Sequence, residues 1–269
     1  MADRAAPIAD RMGAIAPFRV MAILAEARRL EAAGREIVHM EIGEPDFASP
    51  EPVLAAGRAA LDSGFTHYTP AAGLPALREA IAAYYDQRFG VSVSPQRILV
   101  TPGASGALQL ACAVLLNPDD EVLIPDPSYP CNRHMAALFG ARVRGLPVDP
   151  STGYSIQPAQ LAAALSPKVR LLMLASPANP TGATVDLAEL SSLLQTLRTI
   201  PDSVLLCDEI YQGLQYDRKP ETALALGADD LIVINSFSKY FGMTGCRVGW
   251  MVAPEGLVEP LERLAQNLF

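Results

Sequence analysis

Lys239 lies in the run Ser236-Phe237-Ser238-Lys239-Tyr240-Phe241-Gly242-Met243-Thr244-Gly245-Cys246-Arg247-Val248-Gly249-Trp250, directly after the apolar segment Leu231-Ile232-Val233-Ile234-Asn235. The apolar segment reads as a buried strand, so the run places an amine just past a strand end. An amine held there among hydroxyls, glycines and an arginine suits imine formation with an aldehyde group. In that chemistry Ser236 and Arg247 are phosphate ligands, the arginine as a bidentate partner, and Gly242, Gly245 and Gly249 let the backbone pass close by. A lone lysine would be an ordinary solvated charge. The order of the whole run makes this one specific.

Four more segments follow predicted strands and carry residues fit for binding. Thr101-Pro102-Gly103-Ala104-Ser105-Gly106 precedes the helical Ala107–Leu116. The N–H groups of Ala104 and Ser105 would then point from a helix N-terminus toward an anion, although a tight turn capped by Ser105 explains the same pattern. Pro125-Asp126-Pro127-Ser128-Tyr129-Pro130 fixes the backbone around Tyr129, whose ring either stacks on a flat ligand or packs in the core. Ser176-Pro177-Ala178-Asn179-Pro180-Thr181-Gly182 holds the Asn179 amide rigidly, where it can donate to a ligand oxygen; turn-building alone accounts for the prolines and the glycine. Asp208-Glu209-Ile210-Tyr211 ends the apolar Val204-Leu205-Leu206-Cys207. A carboxylate leaving a buried strand needs a partner: a protonated ring nitrogen, or the start of a following helix. Tyr211 is then placed to donate to a ring oxygen. The five segments together supply an aldehyde anchor, a partner for a ring nitrogen, a stacking ring, a ring-oxygen donor and a phosphate cradle. Those are the requirements of pyridoxal 5'-phosphate.

The elements that must position these residues are seven strand candidates, Ile98–Thr101, Glu121–Ile124, Arg142–Leu146, Val169–Ala175, Val204–Asp208, Leu231–Asn235 and Val248–Val252, alternating with helical stretches. Such alternation implies an α/β fold with a mostly parallel sheet covered by helices on both faces, and ligands of such sheets bind outside the carboxyl ends of the strands. Residues 1–50 differ. They offer a helix over Phe18–Leu30 capped by Gly34, a short strand at Ile37-Val38-His39-Met40 and the turn-rich Gly43-Glu44-Pro45-Asp46-Phe47. Helices are expected over Pro52–Asp62 and Leu74–Phe89. The predicted division is an N-terminal arm with part of a small domain over 1–50, and a cofactor-binding large domain over 51–269.

Half of the 269 residues are hydrophobic, enough for a sizeable core, and the net charge is -8. That acidic balance argues against nucleic-acid or anionic-membrane surfaces. Cys112, Cys131, Cys207 and Cys246 form no CxxC pair; Cys207 and Cys246 lie in apolar runs and read as core residues. The absence of a disulfide framework fits a reducing cytoplasm. The segment Met1–Asp10 is polar and broken by Pro7, unlike a leader, and no apolar run is long enough to span a bilayer. His39, His67 and His134 lack metal-ligand spacing. Gly103-Ala104-Ser105-Gly106-Ala107 misses the hydrolase elbow at its last position, and His134 follows too soon for a triad. Neither G-x-G-x-x-G nor G-x-x-x-x-G-K-[ST] occurs.

The Ser236–Trp250 run, the S-P-x-N-P-T-G pattern at Ser176–Gly182 and the segment Tyr68-Thr69-Pro70-Ala71-Ala72-Gly73-Leu74-Pro75-Ala76-Leu77-Arg78 resemble the class I/II (fold-type I) pyridoxal-phosphate aminotransferases. The likeness runs from about Phe18 to Phe269. It implies transfer of an amino group between an amino acid and a 2-oxo acid through a Lys239 imine. It implies Asp208 on the ring nitrogen, and Tyr211, Tyr129 and Asn179 around the ring. It also implies contact of the Gly43 backbone and Asn179 with the substrate carboxylate. Tyr68 would reach the phosphate of a neighbouring subunit, so a homodimer with shared sites follows. A lyase or decarboxylase of the same fold, or an inactive cofactor-binding fragment, would share every residue named. The family pattern continues past the point equivalent to Phe269, with a long interdomain helix, most of the small domain and a carboxylate-clamping arginine. The chain is therefore expected to be a shortened member that keeps the cofactor half.

Overall fold

The computed structural model describes residues 7–216 and 218–269. The first six residues of the polar opening segment lie outside the described residues. The strands β1 (Ile98–Thr101), β2 (Glu121–Asp126), β3 (Arg142–Pro147), β4 (Val169–Ala175), β5 (Val204–Asp208), β6 (Leu231–Ser236) and β7 (Gly249–Val252) form one sheet in the order β1-β7-β6-β5-β4-β2-β3. β7 runs antiparallel to both of its neighbours, and every other pair is parallel. The helices are α1 (Arg19–Ala32), α2 (Glu51–Asp62), α3 (Pro75–Phe89), α4 (Gly103–Leu115), α5 (Pro130–Leu138), α6 (Pro158–Ala164), α7 (Leu187–Leu197) and α8 (Glu255–Leu268).

The apolar strands are buried on both faces because side chains alternate across the sheet. Leu172, Leu174, Leu205, Cys207, Val233 and Trp250 pack with residues of α3, α6 and α7. Their neighbours Leu171, Met173, Leu206, Ile232, Ile234 and Met251 pack with α4, α5 and α8 on the other side. Each such Leu or Ile contributes about 1.5–3 kcal/mol by leaving water. Truncating the fully buried Leu172 to Ala would cost about 2–5 kcal/mol, since a cavity adds to the lost burial. Helix starts are set locally. At α7, Glu189 N donates to Asp186 Oδ1 at 2.9 Å and Asp186 N donates to Glu189 Oε2 at 3.0 Å, a reciprocal cap.

Three expectations change. Ile37–Met40 joins no strand: the segment is extended without a ladder partner, and Val38 and Met40 are exposed. β-branched residues supply propensity, but a strand also needs an edge to pair with. Cys246 is exposed in a short 3-10 turn over Thr244–Cys246, whereas Cys112 and Cys207 are buried as expected. α4 begins at Gly103, four residues before the predicted start, which places Ala104 and Ser105 inside its first turn. No helix among the described residues is long and apolar enough to cross a membrane.

Candidate active site

A cavity of about 1050 Å³ opens where β4 and β5 end and α4 begins. β7 explains how one loop supplies two parts of it. Because β7 returns antiparallel beside β6, the loop between them leaves and re-enters the sheet at the same edge; Phe237 N donates to Val248 O at 3.0 Å. Lys239 and Arg247 therefore both reach the cavity. Arg247 takes the left-handed conformation, φ 53°, a strained choice for a residue with a side chain. Its guanidinium donates to Thr244 O at 2.9 Å and to Ser238 Oγ at 3.4 Å.

Two glycines make room for this corner. A Cβ on Gly103, φ 70°, would lie 2.5 Å from the Arg247 guanidinium. A Cβ on Gly249 would lie 2.6 Å from the Gly103 carbonyl carbon and 2.8 Å from Ala104 N. Lacking those carbons, the first turn of α4 sits directly on β7, with Ala104 and Ser105 at the cavity wall beside Arg247. First-turn N–H groups and a guanidinium with no carboxylate partner among the described residues make an anion site.

The opposite charge stands at the end of β5. Asp208 is 7 % exposed and accepts a hydrogen bond from Ile210 N at 3.0 Å. It caps a turn there, since no helix follows. Burial pushes its carboxyl up to about 6, against that hydrogen bond. No cation pairs with it among the described residues, so a buried carboxylate faces the cavity short of a partner. Lys239 lines the same cavity, half-buried, with its Nζ donating to Gly43 O and standing 5.7 Å from the Tyr211 ring centre. Burial lowers its pKa, and the Arg247 charge adds to that against the pull of Glu44. Asn179 Nδ2 donates to the Tyr211 hydroxyl at 3.3 Å. Burial raises the pKa of that hydroxyl, so it keeps its proton to donate.

The cavity thus gathers Gly43, Ala104, Ser105, Tyr129, Asn179, Asp208, Tyr211, Lys239 and Arg247. Ser236 is not among its walls. β6 continues one residue further than expected, and Ser236 stays in the ladder opposite Gly249, fully buried, its hydroxyl donating to Val248 O at 3.0 Å and lying 2.9 Å from the Ser238 hydroxyl, which can donate to it. Ser238 is the hydroxyl that faces the cavity. Tyr68 is fully exposed and lines no part of the cavity. Tyr129 packs edge-on against Phe18, ring centres 5.9 Å apart.

Sequence analysis also missed a buried support behind the site. Glu209 accepts from Ala223 N at 2.6 Å, Gln212 Nε2 at 2.8 Å and Thr222 Oγ1 at 3.0 Å. Gln212 in turn accepts from Asn235 Nδ2 at 3.1 Å, and Asn235 Oδ1 accepts from Ser236 N at 2.7 Å. This chain of bonds ties the ends of β5 and β6 together, and so fixes Asp208 relative to the loop that carries Lys239. Burial pushes the Glu209 carboxyl up to about 8, against its three donors.

The residues present fit pyridoxal phosphate: a carboxylate without a cation partner among the described residues for a ring cation, a guanidinium likewise without a carboxylate partner, beside helix amides, for a phosphate, and an amine lining the same cavity. Comparisons with known proteins agree. The family model described as aminotransferase class I and II matches residues 35–269. The valine–pyruvate aminotransferase of Mycobacterium tuberculosis is 39% identical over 99% of the chain and 68% of its own length. The aspartate aminotransferase of Pyrococcus horikoshii is 34% identical over 96% of the chain and 65% of its own length. The structure of Thermus thermophilus aspartate aminotransferase with maleate superposes with a TM-score of 0.92 at 32% identity, covering 97% of the chain and 68% of that structure. The chain spans about two thirds of the length of these relatives, with shares of 68% and 65% in the two sequences just named.

Proposed function

Because the chain belongs to the class I and II aminotransferases, a pyridoxal-phosphate-dependent family, we propose that its cavity holds that cofactor and serves amino-group transfer between an amino acid and a 2-oxo acid. The observation that carries this reading is one cavity lined by a half-buried amine, Lys239, by the Arg247 guanidinium and by the Asp208 carboxylate, which has no cation partner among the described residues. When bound, the cofactor supplies an aldehyde and an electron-withdrawing ring.

The protein's own groups do the rest. Asp208 accepts the ring-nitrogen proton in a charge-assisted bond and keeps that proton in place. Tyr211, oriented by Asn179, donates its hydroxyl proton to the ring oxygen. Arg247, Ser238 and the Ala104 and Ser105 amides hold the phosphate, and Ser236 supports Ser238 from behind. Tyr129 offers an aromatic face. Burial and the Arg247 charge lower the pKa of Lys239, which favours its neutral amine, and Nζ would hold and return the substrate Cα proton. The Gly43 backbone and Asn179 meet the substrate carboxylate. The exposed Tyr68 serves the phosphate of a second copy in a homodimer with shared sites. We assign 51–269 to the cofactor domain, 1–50 to an arm with part of a small domain, and the protein to cytoplasmic amino acid metabolism.

Loading with pyridoxal phosphate, reducing with borohydride and mapping peptides tests the anchor. The pyridoxyl label should sit on Lys239; a label on another lysine would sink the assignment.

A further inference from the structure

A continuous series of hydrogen bonds joins the anion corner to the turn after β5. Arg247 donates to Ser238 Oγ at 3.4 Å, Ser238 N donates to Ser236 Oγ at 3.1 Å, and Ser236 N donates to Asn235 Oδ1 at 2.7 Å. Asn235 Nδ2 then donates to Gln212 Oε1 at 3.1 Å, and Gln212 Nε2 donates to Glu209 Oε2 at 2.8 Å. Glu209, Gln212, Asn235, Ser236 and Ser238 are each at most 4% exposed, so bulk water cannot replace a lost partner. Of these residues Ser238 and Arg247 line the cavity.

Gln212 is the joint of the series. A side-chain amide has two N–H donors and one carbonyl. Both donors are used here, one by Glu209 and the other by Glu221 O at 2.6 Å, and the carbonyl is used by Asn235. Turned over, the amide would set its oxygen against the Glu209 carboxylate and its N–H groups against Asn235 Nδ2, so one orientation is workable. That orientation decides the next. Asn235 must present Nδ2 to Gln212, which leaves Oδ1 for Ser236 N. Ser236 is thereby held where its hydroxyl receives Ser238 N, and Ser238 meets the guanidinium of Arg247. Lys239 follows Ser238 in the chain but depends less on this series. Its Nζ ends a flexible four-carbon stem and is held by Gly43 O, so a small shift of Ser238 is absorbed. A hydroxyl and a guanidinium that meet on one phosphate have no such slack.

Resting on the cofactor reading, we infer that Gln212, which does not line the cavity, is a positioning residue for the cofactor phosphate: it orients Asn235, and through it Ser236 and Ser238, and so sets the anion corner before a ligand arrives. Calorimetric titration of inorganic phosphate, pyridoxal phosphate and pyridoxal into the cofactor-free chain tests this, because pyridoxal lacks the group in question. The wild type should bind pyridoxal phosphate at least about tenfold tighter than pyridoxal, the usual worth of a bond to a charged group. Gln212→Met keeps an unbranched side chain and removes the amide. It should cut that ratio about fivefold, on the scale of one neutral hydrogen bond, and weaken inorganic phosphate alike, with pyridoxal affinity held within about twofold. Asn235→Ala breaks the series one link nearer the corner and should do the same, which covers the case in which Gln212→Met does not fold. In the wild type, the side-chain amide resonances of Gln212 and Asn235 should shift when inorganic phosphate is added and stay in place when pyridoxal is added.

Variants that lose pyridoxal and pyridoxal phosphate affinity equally, or lose neither, leave the ratio unchanged and overturn the inference, because a merely structural role predicts that. Amide resonances that ignore inorganic phosphate overturn it too. Both results leave the cofactor reading standing. A wild type that takes up neither pyridoxal phosphate nor inorganic phosphate overturns both.

Discussion

Replacing Asp208 by Asn should remove one component of the pH dependence of cofactor uptake. The Asp208 carboxyl is 7 % exposed, with one hydrogen bond, from Ile210 N at 3.0 Å, and burial pushes it up to about 6. A protonated ring nitrogen favours its ionised form. Below about pH 6 the empty site holds a proton that must leave before the cation can dock, so affinity falls as the pH falls. Above that value the carboxylate is already formed and this contribution is flat. At about pH 5 only about one-tenth of the sites are ionised, so affinity should be about tenfold weaker than at about pH 8. Asparagine carries no such proton. The variant should lose that tenfold decline, and at about pH 8 it should bind roughly 10- to 100-fold more weakly, the usual loss of a bond to a charged group. Equilibrium dialysis of pyridoxal phosphate against both proteins at both pH values measures this. The cofactor's own phosphate and the Lys239 amine titrate in both proteins, so they cancel when the two declines are compared. A variant that keeps the full tenfold decline, or a wild type without one, would refute the role of Asp208.

Glu209→Gln should change how stability depends on pH. A buried acid raised from 4.5 to about 8 binds more protons folded than unfolded in between, so wild-type stability falls as the pH rises through that window. The variant should lack about 4 kcal/mol of that decline between about pH 5 and about pH 9; parallel denaturant-derived curves for the two proteins would contradict the burial argument. Gly103→Ala should displace Arg247, because its Cβ would lie 2.5 Å from the guanidinium, and φ 70° adds strain for any side chain. We expect at least about tenfold weaker pyridoxal phosphate binding from the lost charge-assisted contact, and unchanged dialysis affinity would mean that the phosphate sits elsewhere.

The central strands β4, β5 and β6 were legible because they are buried on both faces and so read as apolar runs, and β5 and β6 end in polar residues at the cavity edge of the sheet. Asp208 and Lys239 were found by that break in pattern. Ile37–Met40 has strand-like residues too, but pairing depends on an edge elsewhere in the chain, which no local pattern reports. The exchange of Ser236 for Ser238 at the wall has a one-residue cause. β6 ends at Ser236 rather than Asn235, and a residue still in the ladder opposite Gly249 turns its side chain into the sheet's packing, not into the cavity. Glu209, Gln212 and Asn235 carried no signal, because the bonds that give them a role cross from the end of β5 to Thr222 and Ala223 and to the end of β6.

The short spacing from Lys239 to Arg247 was legible as a motif, but its cause lies in the topology. Had β7 been parallel to β6, the chain would need a crossover helix after Lys239, and a residue just before β7 would emerge at the far edge of the sheet. The antiparallel β7 removes that crossover. It brings Arg247 back to the edge it left, beside the amides of α4, at the cost of a left-handed backbone at Arg247 and of side-chain-free positions at Gly103 and Gly249. An arginine strained in this way is retained only where its neighbours hold it, and here Thr244 O and Ser238 Oγ do so before any ligand arrives. The anion site is therefore built into the sheet's topology, and the amine and the carboxylate stand at fixed places relative to it.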